Sequence, residues 1–310
     1  MDTINQFPIN YGSGILHEAI KITSCPRHEA THFAICHNSH IKFLIHIHSG
    51  VSYLRKTVAA YNKKLSLLLK LLPCIPTWLL HATGFGYFAR ISLHPSVKAV
   101  IPPDKEWNIL VGTYDSAQKI VFQCFSNINT PCIYVKIGNQ GSAKQMENEI
   151  LFLKNSQRYQ SFEVPHLKYA ELINEGVPFN IQVTEEFCGT KVPPILNEQV
   201  CRIAQEIAGS PININGVPHT FSHGDFAPWN IRKNGSLYTV FDWEHCGMRP
   251  VGYDLVYFCL MIEIALNHCS LSEAYERATT QVRQFIPELS PIKELILSHF
   301  KKTTKSLRFQ

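Results

Sequence analysis

The sequence predicts an α+β protein of two lobes, a small antiparallel-sheet lobe followed by a mainly helical one, behind an N-terminal region of unassigned fold. Three observations predict it. β-prone runs at 107–112, 119–125 and 132–137 lie close together and lead into one helical run, Ala143–Asn155. A polar loop-and-hairpin stretch, Phe221–Glu244, interrupts the second half. Helical stretches at Val251–Asn267, Leu271–Phe285 and Ile292–Lys301 then close the chain.

Composition sets the frame. The chain has 310 residues, with 45% hydrophobic and 17% charged, which suits a packed core and excludes a disordered chain. The net charge of +5 is mild and partly carried by the tail Lys301–Arg308, so no nucleic-acid partner is expected. A weakly basic surface is compatible with a peripheral membrane contact, but nothing in the sequence supports one. Ten cysteines stand without a CxxC pair, and Met1–Asn5 has no basic start to an apolar leader; together these lead us to expect a cytoplasmic protein with reduced thiols. The nearest approach to a membrane span, Leu65–Leu80, is broken by Lys70, Pro73 and Pro76.

Residues 1–95 hold nine of the fifteen histidines. Thr31–Cys36 and His40–Ile47 read as a hairpin around Asn38-Ser39, and Ser52–Leu72 as a helix ended by Pro73. His28-Glu29-Ala30-Thr31-His32 matches the zinc-protease pattern H-E-x-x-H, which needs a helix to bring both rings to one ion. Here the second half is β-prone, and in a strand two such histidines stand about 13 Å apart. The zinc reading is therefore set aside. The region's apolar groups, Trp78-Leu79-Leu80 and Phe85–Phe88, permit a docking role without demanding one.

Residues 96–186 read as a nucleotide-binding lobe. Two strands flank the turn Gly112-Thr113-Tyr114-Asp115-Ser116, the third carries Lys136, and the helix after it carries Glu147 and Glu149. A strand-borne lysine facing nucleotide phosphates, held by a helix glutamate, is the order found in kinase small lobes. The turn has one glycine, so the Thr113 and Ser116 hydroxyls and backbone N–H groups would have to help cradle phosphate. Val164–Glu171 and Phe179–Phe187 extend the sheet and lead to a hinge.

Residues 187–310 hold the chemistry. In FSHGDFAPWNIRKNGSLYTVFDWE, His223-Gly224-Asp225 is followed by Asn230 and then Asp242, across a hairpin turning at Asn234-Gly235. Asp225 can orient and deprotonate a hydroxyl, while Asn230 and Asp242 offer hard oxygens for Mg²⁺ on a nucleotide's phosphates. HGDFAPWNI followed by FDWE resembles the aminoglycoside phosphotransferase and choline kinase group of protein-kinase-like enzymes. That resemblance implies a bilobal kinase-like fold and an ATP- and Mg²⁺-dependent small-molecule kinase. It makes Asp225 the catalytic base, His223 a brace for the loop, and Asn230 and Asp242 the metal ligands. It also implies that Lys136 and Glu149 position the phosphates, that Gly112 and Ser116 cover them, and that the hinge around Glu186 meets the base. Asp254, in Gly-x-x-x-Asp-Leu form, is then a buttress near the backbone of His223 or Gly224, and Glu244 an added metal or water contact.

Between Gly189 and His223 there is one clear helix, Asn197–Ile207, where antibiotic-modifying relatives are expected to carry a longer insertion. The motif wording also resembles kinase-like proteins of bacterial surface-polysaccharide biosynthesis, which implies a saccharide or other small-molecule acceptor. A catalytically inactive nucleotide- or partner-binding protein is the alternative, favoured by the glycine-poor turn.

Overall fold

The computed structural model describes residues 19–37, 40–47, 86–112, 117–127, 130–156, 158–174, 178–185, 189–287, 289 and 292–298. The helix expected over Ser52–Leu72, the turn residues Thr113 and Ser116, and Glu186 lie outside them. The chain forms two compact units, Met1–Lys144 with Leu167–Glu186, and Gln145–His166 with Phe187–Gln310.

The first unit is a nine-stranded antiparallel sheet. Its strands are β1 (Ile20–Ser24), β2 (His32–His37), β3 (His40–His46), β4 (Gly86–Leu93), β5 (Glu106–Val111), β6 (Lys119–Asn127), β7 (Thr130–Asn139), β8 (Leu167–Ile173) and β9 (Phe179–Glu185). They lie in the order β1-β4-β2-β3-β5-β6-β7-β9-β8. The N-terminal region thus enters the same sheet as the lysine strand, because β3 pairs with β5 through Phe43↔Leu110 and Leu44↔Ile109. Consequently no boundary between units falls at residue 95, where the sequence reading divides the chain. A short helix α1 (Pro95–Val100) starts on proline, with the His94 ring accepting from the Ser96 N–H, and buries Val97 in the core.

Alternation builds that core. Ile120, Phe122 and Cys124 on β6, Ile133, Val135 and Ile137 on β7, and Ile181 and Val183 on β9 are all buried in one cluster. Period-two spacing then puts Lys136 on the opposite face of β7, between Val121 and Gln182 in register. The expected hairpin of residues 31–47 is present as β2 and β3. Its H-E-x-x-H stretch is not helical: Arg27–Glu29 forms a single 3₁₀ turn and His32 begins β2. His32 is buried against Trp107, one ring nitrogen on the Trp107 carbonyl, and burial lowers its pKa to about 3. His28 is 81% exposed, so the pair has no common ion to hold.

The second unit contains α2 (Ala143–Asn155, from Gln145), α3 (Glu198–Ala208), α4 (Tyr253–Ala265) and α5 (Leu271–Val282). Two three-stranded sheets accompany them: β10 (Thr190–Lys191) with β13 (Ile231–Asn234) and β14 (Leu237–Val240), and β11 (Ile212–Ile214) with β12 (Val217–Ser222) and β15 (Gly247–Pro250). Asn197 caps α3 by accepting from the Val200 N–H, and Gly209 ends it at φ +59°. Ser270 caps α5 in the same way, with Glu273 three residues on. Helix α4 is apolar on nearly every side and accordingly buried from Tyr253 through Met261. The buried Glu263 carboxylate ties it to α5 through Arg277 and Gln281.

Candidate active site

Asp225 and Asn230 stand on the loop between β12 and β13, and Asp242 just beyond β14. Strand register explains their meeting: Ile231 pairs with Val240, and the Phe241 N–H donates to the Asn230 carbonyl at 3.1 Å, so the two strand ends close together. The hairpin's two-residue loop is Gly235-Ser236, one residue later than the sequence suggests, because Asn234 still pairs with Leu237.

Asp225 is gripped from two sides. The Asn230 Nδ2 donates to its carboxylate at 3.0 Å and to its backbone carbonyl at 2.8 Å. The Tyr257 hydroxyl, from α4, also hydrogen-bonds the carboxylate. With Nδ2 so engaged, the Asn230 Oδ1 is the atom left for a metal. Burial, and then the negative charge of Asp242, push the Asp225 carboxyl up to about 7 against these two hydrogen bonds. We expect the metal-free protein to show this carboxyl titrating near pH 7 by ¹³C NMR, with the midpoint falling when Mg²⁺ screens Asp242. A midpoint near the ordinary 3.8 would contradict the geometry.

His223 cannot serve as a proton carrier here. It is fully buried, its Nδ1 accepts from the Asp225 N–H and its Nε2 donates to the Phe241 carbonyl. Burial lowers its pKa and keeps the ring neutral. It braces the loop, as the resemblance implies. Asp254 does likewise from α4: it accepts from the Ser222 hydroxyl at 2.6 Å, the His223 N–H at 2.7 Å and the Gly224 N–H at 3.0 Å. Asp254→Ala would orphan three buried donors. We expect it to cost about 3 kcal/mol in urea unfolding.

Asp242 adopts a left-handed backbone, φ 71° and ψ 55°, which an L residue holds only when its surroundings impose it. Helix α2 does part of this. Its Glu149 accepts from the Trp243 N–H at 3.2 Å, its Asn148 donates to the Glu244 and Cys246 carbonyls, and its Phe152 ring stacks on Trp243 at 3.9 Å. These residues share one helix face. As a result Glu149, Asp242 and Glu244 each place a carboxylate oxygen within 4.8 Å of the others, with Glu149 and Glu244 buried. Such a set of hard oxygens, whose mutual repulsion a divalent cation would relieve, fits Mg²⁺ or Ca²⁺.

The sequence reading gives Glu149 only a lysine to hold and misses its place in the carboxylate cluster, since helix spacing alone does not show what a helix packs against. It misses Tyr257 too, which lies in an apolar helix run with no motif around it. Lys136 lies on β7 of the first unit, on the face that also carries Gln123 and Gln182, whose Oε1 atoms are buried without a hydrogen-bond partner. Gly112 ends β5; its N–H donates to the Lys119 carbonyl at 2.8 Å, and a Cβ would meet that oxygen at 2.7 Å.

Known proteins place the second unit's sequence. Residues 192–289 match the family model described as the phosphotransferase enzyme family. The phosphotransferase resemblance holds. The matched stretch contains His223, Asp225, Asn230, Asp242 and Asp254, the residues whose geometry is given above. Among solved structures the chain is similar to amicoumacin kinase hAmiN in complex with AMP-PNP, Ca²⁺ and Ami, at 13% identity and TM-score 0.36, over 58% of this chain and 73% of that one. It is also similar to a thermostable mutant of aminoglycoside phosphotransferase APH(4)-Ia. The ternary complex of that enzyme with ADP and hygromycin B gives 8% identity and TM-score 0.38, over 60% and 79% of the two chains. Its apo form gives 10% and 0.39, over 69% and 84%. At such scores these likenesses do not bear on the reaction. No curated protein matches the chain. Among the described residues no helix is long and apolar enough to cross a membrane.

Proposed function

We propose that the chain is an ATP- and Mg²⁺-dependent phosphotransferase that passes the γ-phosphoryl group to a hydroxyl of a small molecule, of sugar or glycolipid type. One observation carries the reading: Asp225 is held by Asn230 and Tyr257 within electrostatic reach of Asp242 and Glu244, which join Glu149 in a metal-suited cluster. Asp225 orients the acceptor hydroxyl and takes its proton. Its raised pKa suits it to that work near neutrality. His223 and Asp254 hold the loop so that the carboxylate does not move between turnovers. Glu149, Asp242 and Glu244, with the Asn230 Oδ1, would hold the cation, which supplies charge neutralisation on the phosphates. Lys136 would contact the nucleotide's phosphates, the turn from Gly112 to Ser116 would cover them, and the hinge at Glu186 would meet the base.

The saccharide preference is supported by the motif wording alone, so an acceptor screen tests it. Radiolabelled ATP with Mg²⁺ is offered to monosaccharides, nucleotide-free sugar phosphates, glycolipids and amino alcohols. Label transfer to a saccharide hydroxyl agrees with the reading, and transfer only to a non-sugar alcohol removes its acceptor half. Nucleotide binding without transfer to any acceptor, unchanged in Asp225→Asn, favours the inactive binding protein suggested by the glycine-poor turn.

A further inference from the structure

The second unit contains a cation that none of the motif roles accounts for. Arg249, on β15, lies opposite Thr220 of β12 and reaches over the Tyr253 ring, with its guanidinium carbon 5.0 Å from the ring centre. Its Nη1 is enclosed without a hydrogen-bond partner, and so is the hydroxyl of Tyr253, a residue only 2% exposed. The two groups sense each other, for the guanidinium opposes the burial that pushes the Tyr253 hydroxyl up to about 12. Two orphan polar groups side by side are unusual in a folded interior and call for a partner that completes them.

Their position is built, and it borders the reaction centre. Gly224, at φ +85°, precedes Asp225 in the chain; a Cβ there would stand 2.7 Å from both Nη atoms of Arg249 and 2.1 Å from the His245 carbonyl. Only glycine lets the guanidinium come this close. On the other side the Tyr253 ring stacks with Tyr257 at 6.0 Å, and Tyr257 bonds the Asp225 carboxylate. Arg249 and Tyr253 are thus one neighbour away from the proton-accepting group along two separate routes.

We propose that Arg249 and Tyr253 form a subsite for an anionic substituent of the acceptor, a phosphate or carboxylate, beside the hydroxyl that Asp225 activates. A guanidinium and a phenol hydroxyl are both donors, and an oxyanion is the partner that can accept from both. The pair would select acceptors carrying such a group and fix their register on Asp225. This rests on the phosphotransferase reading. An anion of the same chemistry could come from the nucleotide instead, so the test separates the two sources.

The protein is loaded with Mg²⁺ and AMP-PNP, which occupies all of the donor's phosphate positions, and then titrated with inorganic phosphate and with acetate by calorimetry. Phosphate is expected to bind the loaded wild type, about tenfold or more weaker in Arg249→Met and several-fold weaker in Tyr253→Phe, with AMP-PNP affinity unchanged. Arg249→Lys should keep part of the binding. Tyr253→Phe removes a single enclosed oxygen, so it remains informative if Arg249→Met fails to fold. Equal phosphate affinity in wild type and variants, or no phosphate binding to the loaded protein, overturns the subsite. Loss of AMP-PNP affinity in Arg249→Met would assign the cation to the nucleotide and overturn it as well. If AMP-PNP does not bind the wild type at all, it is the phosphotransferase reading that falls.

Discussion

Replacing Asp225 by Asn should lower phosphoryl transfer by about 10²–10⁴-fold while leaving nucleotide affinity nearly intact. The amide keeps the shape and can still accept from Asn230 Nδ2 or the Tyr257 hydroxyl, so the loop should not move. What it loses is the capacity to take the acceptor's proton. The same change should make the metal-free protein more stable above neutral pH. The Asp225 carboxyl is raised from 3.8 to about 7, so its contribution to stability is fully present below pH 3.8 and lost as pH rises through 7. Above that, an ionised Asp225 faces Asp242 and Glu244, and the neutral amide does not. A gain on the order of 1–3 kcal/mol at pH 8, measured by urea unfolding with chelator present, is expected. An active, less stable Asp225→Asn protein would contradict both halves.

Asp242→Asn should be as damaging by a different route. Asparagine tolerates the left-handed backbone at this position, so the substitution tests charge and not conformation. Removing one carboxylate from the Glu149–Asp242–Glu244 group should weaken the Mg²⁺ dependence of nucleotide binding and lower transfer by about 10²–10³-fold. The two variants differ in a readable way: Asp225→Asn keeps metal-dependent binding and Asp242→Asn does not. If Asp242→Asn bound Mg²⁺-nucleotide like the wild type, the carboxylate cluster would not be the metal site.

Local pattern makes much of this fold legible. Helix α2 is expected at Ala143–Asn155 and is found there, since its apolar spacing and the polar loop before it leave little choice. The β5–β6–β7 strands are equally plain from alternation, and Asp254 is placed correctly as a support for the His223–Gly224 backbone. What stays hidden depends on long-range contact. Nothing in residues 20–46 announces that they will extend the sheet through β3 and β5, because an exposed strand edge accepts any compatible partner. Glu149 reads as a surface or ion-pair residue until α2 is packed on Trp243. Tyr257 and Arg249 look like helix filler and a stray charge until α4 and β15 set them around Asp225 and Gly224.

The most direct test of the central claim is equilibrium binding of AMP-PNP to the wild-type protein by calorimetry, with Mg²⁺ and with chelator. The predicted result is binding that Mg²⁺ strengthens by about tenfold or more, with the metal's effect lost in Asp242→Asn and retained in Asp225→Asn. No nucleotide binding under either condition, or binding indifferent to both Mg²⁺ and Asp242, would contradict a metal-dependent phosphotransferase site.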